Sequence, residues 1–166
     1  MISNLLSALT LVSALGCGLI AGVFFAFSAF VMKALASLPP AQGIAAMQSI
    51  NVTVPNPWFL GTFFGTAVGC ILLAVASLFT WQKPGAAYLL VGSVLYLFGT
   101  VLVTIAFNVP RNEQLATLDP ASGSAISVWS EYVTNWTAWN HVRAIAAVAA
   151  VAFLIVGLCW SRGRVA

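Results

Sequence analysis

The sequence predicts an all-α fold, a four-helix transmembrane bundle with two long loops that carry short helices on one face. Three observations predict it. Of 166 residues, 61% are hydrophobic and 5% charged, with a mean hydropathy of +1.03, whereas a soluble domain carries about a quarter charged residues. Four apolar stretches reach the roughly 20 residues that a ~30 Å hydrocarbon layer requires. Proline- and asparagine-rich strings separate the first from the second and the third from the fourth. The formal charge of +3 is spread through the loops with no basic run, which argues against nucleic-acid binding and is ordinary for membrane loops.

The whole chain, 1–166, reads as a single integral membrane domain. Its first span, about 5–31, is uncharged, longer than a signal-peptide core and without a positive stretch before it. Ala14, Gly18, Gly22 and Ala26 recur every fourth residue, the spacing that lets helix backbones approach closely in lipid. Pro39 and Pro40 end this helix and start a short amphipathic one over 40–51, marked by Ile44, Met47 and Ile50, at the membrane interface. NVTVPNPW, residues 51–58, reads as an irregular re-entry: Pro55 and Pro57 oppose regular helix, while Asn51 and Asn56 can satisfy exposed backbone.

The second span, about 58–81, has a tryptophan at each end, suited to the two aromatic belts. Gly61, Gly65 and Gly69 form a second small-residue stripe, expected to meet the first. The turn Gln82 to Gly85 leads to a third span, about 86–107, which Asn108 and Pro110 are expected to terminate. A short helix from Glu113 to Leu118 follows, then a cap at Asp119-Pro120. The fourth span, about 140–160, belongs to a helix extending back to about 121, and the tail SRGRVA is polar and basic. Cys17, Cys70 and Cys159 lie in separate spans without CxxC spacing and are read as small hydrophobes.

Four spans place both termini on one side with the Lys83 turn. Basic residues tie at three per side and all three acids fall in the third loop, a slight bias toward cytoplasmic termini in a bacterial inner membrane. Connectivity says more than charge. Loops one and three share a face, so Asn51, Asn56, Asn108, Arg111, Asn112, Glu113, Asn140, His141 and Arg143 converge there.

The run Trp129 to Arg143, WSEYVTNWTAWNHVR, organises that face. At 100° per residue, Trp129, Val133, Trp136, Asn140 and Arg143 fall within an arc of roughly 80°. A guanidinium where a helix turns apolar is costly unless partnered; Glu113 in a structural bridge and a ligand oxygen are equal candidates. Asn140 can fix a ligand carbonyl or bond loop backbone. His141, the one histidine, is the residue type that titrates near neutrality and can act as a general base, yet a regular helix points it roughly 160° from Arg143. Trp136 and Trp139 can wall a flat aromatic ligand or anchor the helix in the interfacial belt.

Some chemistries are excluded. One histidine and three dispersed cysteines build neither a bis-His haem site nor a Cys/His zinc site, and three acids are too few for a bundle di-iron centre. No phosphate-binding glycine motif is present. Spans one to three carry no mid-span charge, which argues against an ion-coupled transporter.

FFAFSAFVMKAL (24–35), MQSIN (47–51), NVPRNEQLA (108–116) and WTAWNHVRAIAA (136–147) together resemble the signature blocks of the anthrone oxygenase-like integral membrane family, a domain of unknown function. The resemblance covers nearly the whole chain. It implies a four-helix membrane protein and, as in characterised fungal members, oxidation of anthrones to anthraquinones by molecular oxygen without metal or flavin. On that resemblance the chain is a membrane-embedded oxidoreductase acting on a lipophilic hydroxyaromatic or quinol-like molecule, with no cofactor. Such a reaction needs a base, a partner for the enolate and a dry pocket. His141 is then the base, and Arg143 and Asn140 the enolate partners. Asn51, Asn108, Arg111, Asn112, Trp136 and Trp139 shape the substrate pocket, which a lipophilic aromatic reaches from the bilayer. A non-catalytic small-molecule or lipid binder and a structural membrane protein use the same cluster equally well, and homo-oligomerisation stays open.

Overall fold

The computed structural model describes residues 2–162, and among them every regular element is helical. The basic tail expected at the C-terminus lies, from residue 163, outside the described residues. In chain order, α1 is a continuous rod: Ile2–Ala26, a π-helical turn Phe27–Val31, then Met32–Ala36. Pro39 is extended, at φ −50° and ψ 136°, and breaks the rod, and α2, Pro40–Thr53, begins with its proline at the first helical position. After three bent residues the Asn56 side-chain oxygen accepts from the Trp58 and Phe59 amides at 3.1 and 3.0 Å, which starts α3, Pro57–Phe79. Gly85, at φ +88°, closes the next turn; a Cβ there would also meet the Gly157 carbonyl. α4 comprises Ala86–Val94, π-helical Leu95–Leu102 and Thr104–Asn108, and Val109–Ala116. α5 is a single helix of 38 residues, Ala125–Arg162.

Four helices are long and apolar enough to cross a membrane: Asn4–Ala36, Pro57–Phe79, Ala86–Ala116 and Ala125–Ser161. They pack cyclically, α1 on α3, α3 on α4, α4 on α5 and α5 back on α1. Large apolar side chains such as Leu15, Leu72, Val75 and Ile145 point outward. This is an aggregation hazard in water and the expected surface in lipid. Inside, Cys17, Ile20, Phe63, Cys70, Leu73, Tyr96 and Leu154 form one core. A second core joins the ends of α1 and α4, α2 and the first half of α5 through Met32, Ile44, Met47, Leu115, Trp129, Tyr132 and Trp136. Gln48 fastens α2 to the end of α4 by donating to the Leu115 and Leu118 carbonyls, both at 2.9 Å. At the opposite end Trp81 and Trp160 are exposed, and Tyr88 lies 6.0 Å from the Trp160 ring.

Three local expectations are corrected. The third span does not stop at Asn108–Pro110 but runs to Ala116. The wide turn Thr104–Asn108 immediately before Pro110 moves the carbonyls that a proline ring would strike in a regular helix. Asp119 caps a turn, accepting from the Ala121 amide at 2.9 Å, and α5 begins four residues later than expected at Ala125. The close approach of α1 and α3 does not run along Gly22, Gly61 and Gly65, where a Cβ would meet nothing within 4 Å. It runs where Gly16 faces Thr66 and Gly69 faces Ser13. Gly16→Leu should therefore destabilise the protein by about 1–3 kcal/mol through overpacking. Gly65→Leu should change stability by no more than about 0.5 kcal/mol. Thermal unfolding in detergent checks the pair.

Candidate functional site

α5 places Asn140 and Arg143 one turn apart, and both are buried. Asn140 ties α1 to the guanidinium. Its Nδ2 donates to the Phe24 carbonyl at 2.8 Å and to the Ser28 Oγ at 2.7 Å, and its Oδ1 accepts from Arg143 Nη2 at 2.7 Å.

On the α4 side Arg143 Nη1 donates to Thr104 Oγ1 at 3.3 Å, and that hydroxyl donates to the Thr100 carbonyl at 2.7 Å. The guanidinium carbon lies 4.0 Å from the Phe24 ring centre and 4.9 Å from that of Trp136. Two aromatic faces thus stabilise a cation whose hydrogen bonds go to neutral oxygens. Its Nε is buried with no hydrogen-bond partner among the described residues.

Arg143 lines a cavity of about 190 Å³ bounded by all five helices. Most of its wall is apolar, with Phe24, Phe27, Met47, Phe59 and Phe63 prominent; Asn51, Thr104 and Asn112 join Arg143 as its polar members. Asn112 is rigidly held: its Oδ1 accepts from the Tyr132 hydroxyl at 2.9 Å and from Trp136 Nε1 at 2.7 Å. With both lone-pair positions of that oxygen used, only the amide N–H groups remain for other partners. The Asn51 Nδ2 is buried and has no hydrogen-bond partner among the described residues. Trp129, Tyr132 and Trp136 stack down α5 toward the cavity, with ring centres 5.6 and 6.2 Å apart.

Of the residues singled out from the sequence, Asn51, Asn112, Trp136 and Arg143 meet in this cavity, with Asn140 directly behind the guanidinium. Asn108 is buried and donates to the Trp136 carbonyl at 3.2 Å, so it supports the wall without lining it. Arg111 turns back on its own helix, Nη1 donating to the Phe107 carbonyl at 2.6 Å. Trp139 stacks on Phe107 with ring centres 3.6 Å apart, and it too lies outside the lining. The expected Arg143–Glu113 pair is corrected. Glu113 is exposed because α4 continues as helix through it, and neutral Asn140 and Thr104 take the guanidinium instead. His141 is exposed in a separate open depression with Lys33 and Thr137, away from Arg143 as regular helix geometry requires. Among the described residues no group of three His, Cys, Asp or Glu side chains could hold a metal.

Sequence reasoning missed Thr104, Phe24 and Ser28. Two signals were present: Thr100, Thr104 and Asn108 recur every fourth residue, and Ser28 is the one hydroxyl between Cys17 and Lys33.

Apolar outer surfaces and four membrane-length helices around a guanidinium- and amide-lined cavity define an integral membrane protein with a buried polar site. The chain belongs to the anthrone oxygenase family, whose model matches residues 58–153, more than half of its length. That segment holds α3, α4 and the site-bearing part of α5, while Phe24, Ser28 and Asn51 precede it. No curated protein and no solved structure matches the chain.

Proposed function

We propose that the protein is a membrane-embedded oxygenase that oxidises a lipophilic hydroxyaromatic or quinol-like compound with O2 in the Arg143 cavity. One observation carries this reading. Arg143 brings a full positive charge to a mostly apolar wall, its hydrogen bonds go to neutral groups, and its Nε–H has no acceptor among the described residues. A ketone, enolate or phenolate oxygen supplies that acceptor, and binding is strongest for the anionic form. A carbon acid whose enolate is held by a preorganised cation ionises more readily, and an electron-rich enolate is the form that O2 attacks. For an activated methylene, the carbon gives up both hydrogens and four electrons to one O2. One oxygen atom becomes the carbonyl oxygen, and the other leaves as water with those two hydrogens. Asn51 and Asn112 orient the ring system, Trp136 walls it, and Asn140 holds Arg143 in place.

His141 does not serve as the base in this reading, since it faces another depression. The cavity lining includes no carboxylate or histidine, and this favours a second reading, a binder that holds an anionic aromatic without turning it over. Under either reading, the slight charge bias favours termini in the cytoplasm.

Oxygen uptake and carbonyl formation, measured with anthrone-type and hydroquinone substrates on the full chain in nanodiscs, separate the two readings. With an anthrone-type methylene the oxygenase consumes one O2 per carbonyl formed and releases water; with a hydroquinone, which gives up two electrons and two hydrogens, it reduces one O2 to hydrogen peroxide per quinone formed. Saturable binding with no O2 uptake across the panel establishes the binder.

A further inference from the structure

One side of the cavity faces lipid. The main packing of α3 on α4 involves residues 86–102, and beyond it the start of α3 and the end of α4 both border the cavity. Leu60 and Phe64 from α3, with Ile105 and Val109 from α4, line the cavity and are also exposed on membrane-crossing helices. They form an apolar doorway between the bilayer and the site.

Volume then limits what fits inside. An apolar cavity of about 150 Å³ accepts a benzene-sized guest. At about 190 Å³ the space takes one substituted ring and leaves any further bulk in the doorway. Bulk held there, among aliphatic and aromatic side chains and lipid tails, is stable only if it is itself apolar.

We propose that the site takes a single-ring phenol or quinone bearing a hydrocarbon chain. The molecule enters sideways from the bilayer with its oxygen-bearing ring first, and its chain stays between Leu60 and Phe64 on one side and Ile105 and Val109 on the other. The proposal rests on the reading of the Arg143 cavity as the ligand site.

The test uses the full chain in phosphatidylcholine nanodiscs, with a radiolabelled decyl-benzoquinone, the same ring bearing a methyl group, and anthrone. Protein-free discs correct for partition. The double variant Leu60→Trp/Ile105→Trp fills the doorway. Leu72→Trp, lipid-facing on the same helix but outside the lining, is the control.

The doorway variant should weaken the decyl compound by about tenfold or more, as expected for overpacking a contact surface. Because Leu60 and Ile105 also line the space for the ring, the methyl compound should weaken too, but at least about fivefold less than the decyl compound, and the control should change either compound by less than about twofold. Wild type should bind anthrone more weakly than the decyl compound. Equal losses for both quinones, no loss for either, or tighter binding of anthrone overturns the doorway and the ring-size limit. Arg143→Gln keeps that failure distinct. If it abolishes binding of both quinones, the cavity remains the ligand site even when the doorway result is negative. If both still bind normally, the cavity reading fails and this proposal with it.

Discussion

Arg143→Gln is expected to lower kcat/KM by about 10²–10³-fold, the usual loss when one preorganised donor to a developing oxyanion is removed. Glutamine keeps a polar side chain near Asn140 and Thr104 but removes the charge, so the variant tests the cation itself. Stability should hold or rise, because a buried charge bonded to neutral oxygens is expensive to keep in a membrane protein. Falling activity with a steady or higher melting temperature marks a functional group rather than a structural bridge. Arg143→Lys should recover little activity, since an ammonium cannot bond Asn140, Thr104 and a ligand through one planar fork. His141→Ala, on the other depression, should stay within about twofold of wild type, as surface changes away from a site do. Oxygen uptake and product formation read all three variants. A His141→Ala loss as large as that of Arg143→Gln would show that the proton leaves by a route through His141, and the roles assigned above would fall.

Asn140→Leu carries the largest expected cost in stability, about 3–5 kcal/mol. The replacement has a similar volume, so packing is not the cause. It removes the acceptor for Arg143 Nη2 and the donor to the Phe24 carbonyl and Ser28 in one step. The cation keeps its charge and loses its shortest hydrogen bond. Asn140→Leu/Arg143→Leu should recover much of that loss, since replacing both partners by apolar groups is far cheaper than leaving one unpaired. The double variant should remain inactive. Melting midpoints in detergent for the four members of this cycle give the coupling directly. If the double variant is as unstable as the sum of the singles, Asn140 does not act through Arg143.

The four membrane-length helices were legible in the sequence because hydropathy reports the solvent, and lipid imposes the same demand on every span. The meeting of Asn51, Asn112, Trp136 and Arg143 followed from connectivity together with the regularity of α5. The end of α4 was not legible. Pro110 signals a stop, and only the π-helical turn before it lets the helix continue; such a turn leaves no mark in the apolar periodicity. Glu113 followed from the same error, since an expected loop residue became an exposed helical one. Glycine spacing identified helices able to approach closely, but the motif does not say which face meets a neighbour. Gly16 and Gly69 pack against hydroxyl-bearing residues, while Gly61 and Gly65 face open space. Ser28 and Thr104 escaped notice because single hydroxyls in apolar helices are common and usually bond their own backbone. Their importance comes from what α5 brings opposite them.

The length of α5 sets the depth of the cation. At about 1.5 Å per residue its 38 residues extend about 57 Å, nearly twice a ~30 Å hydrocarbon layer. Trp160 marks the headgroup level at one end, and the 17 steps back to Arg143 cover about 26 Å. With Trp160 at one headgroup level, a helix of this length would carry the guanidinium close to the opposite level rather than to mid-membrane. A molecule dissolved among the acyl chains can offer it an oxygen without carrying that oxygen through the oily middle.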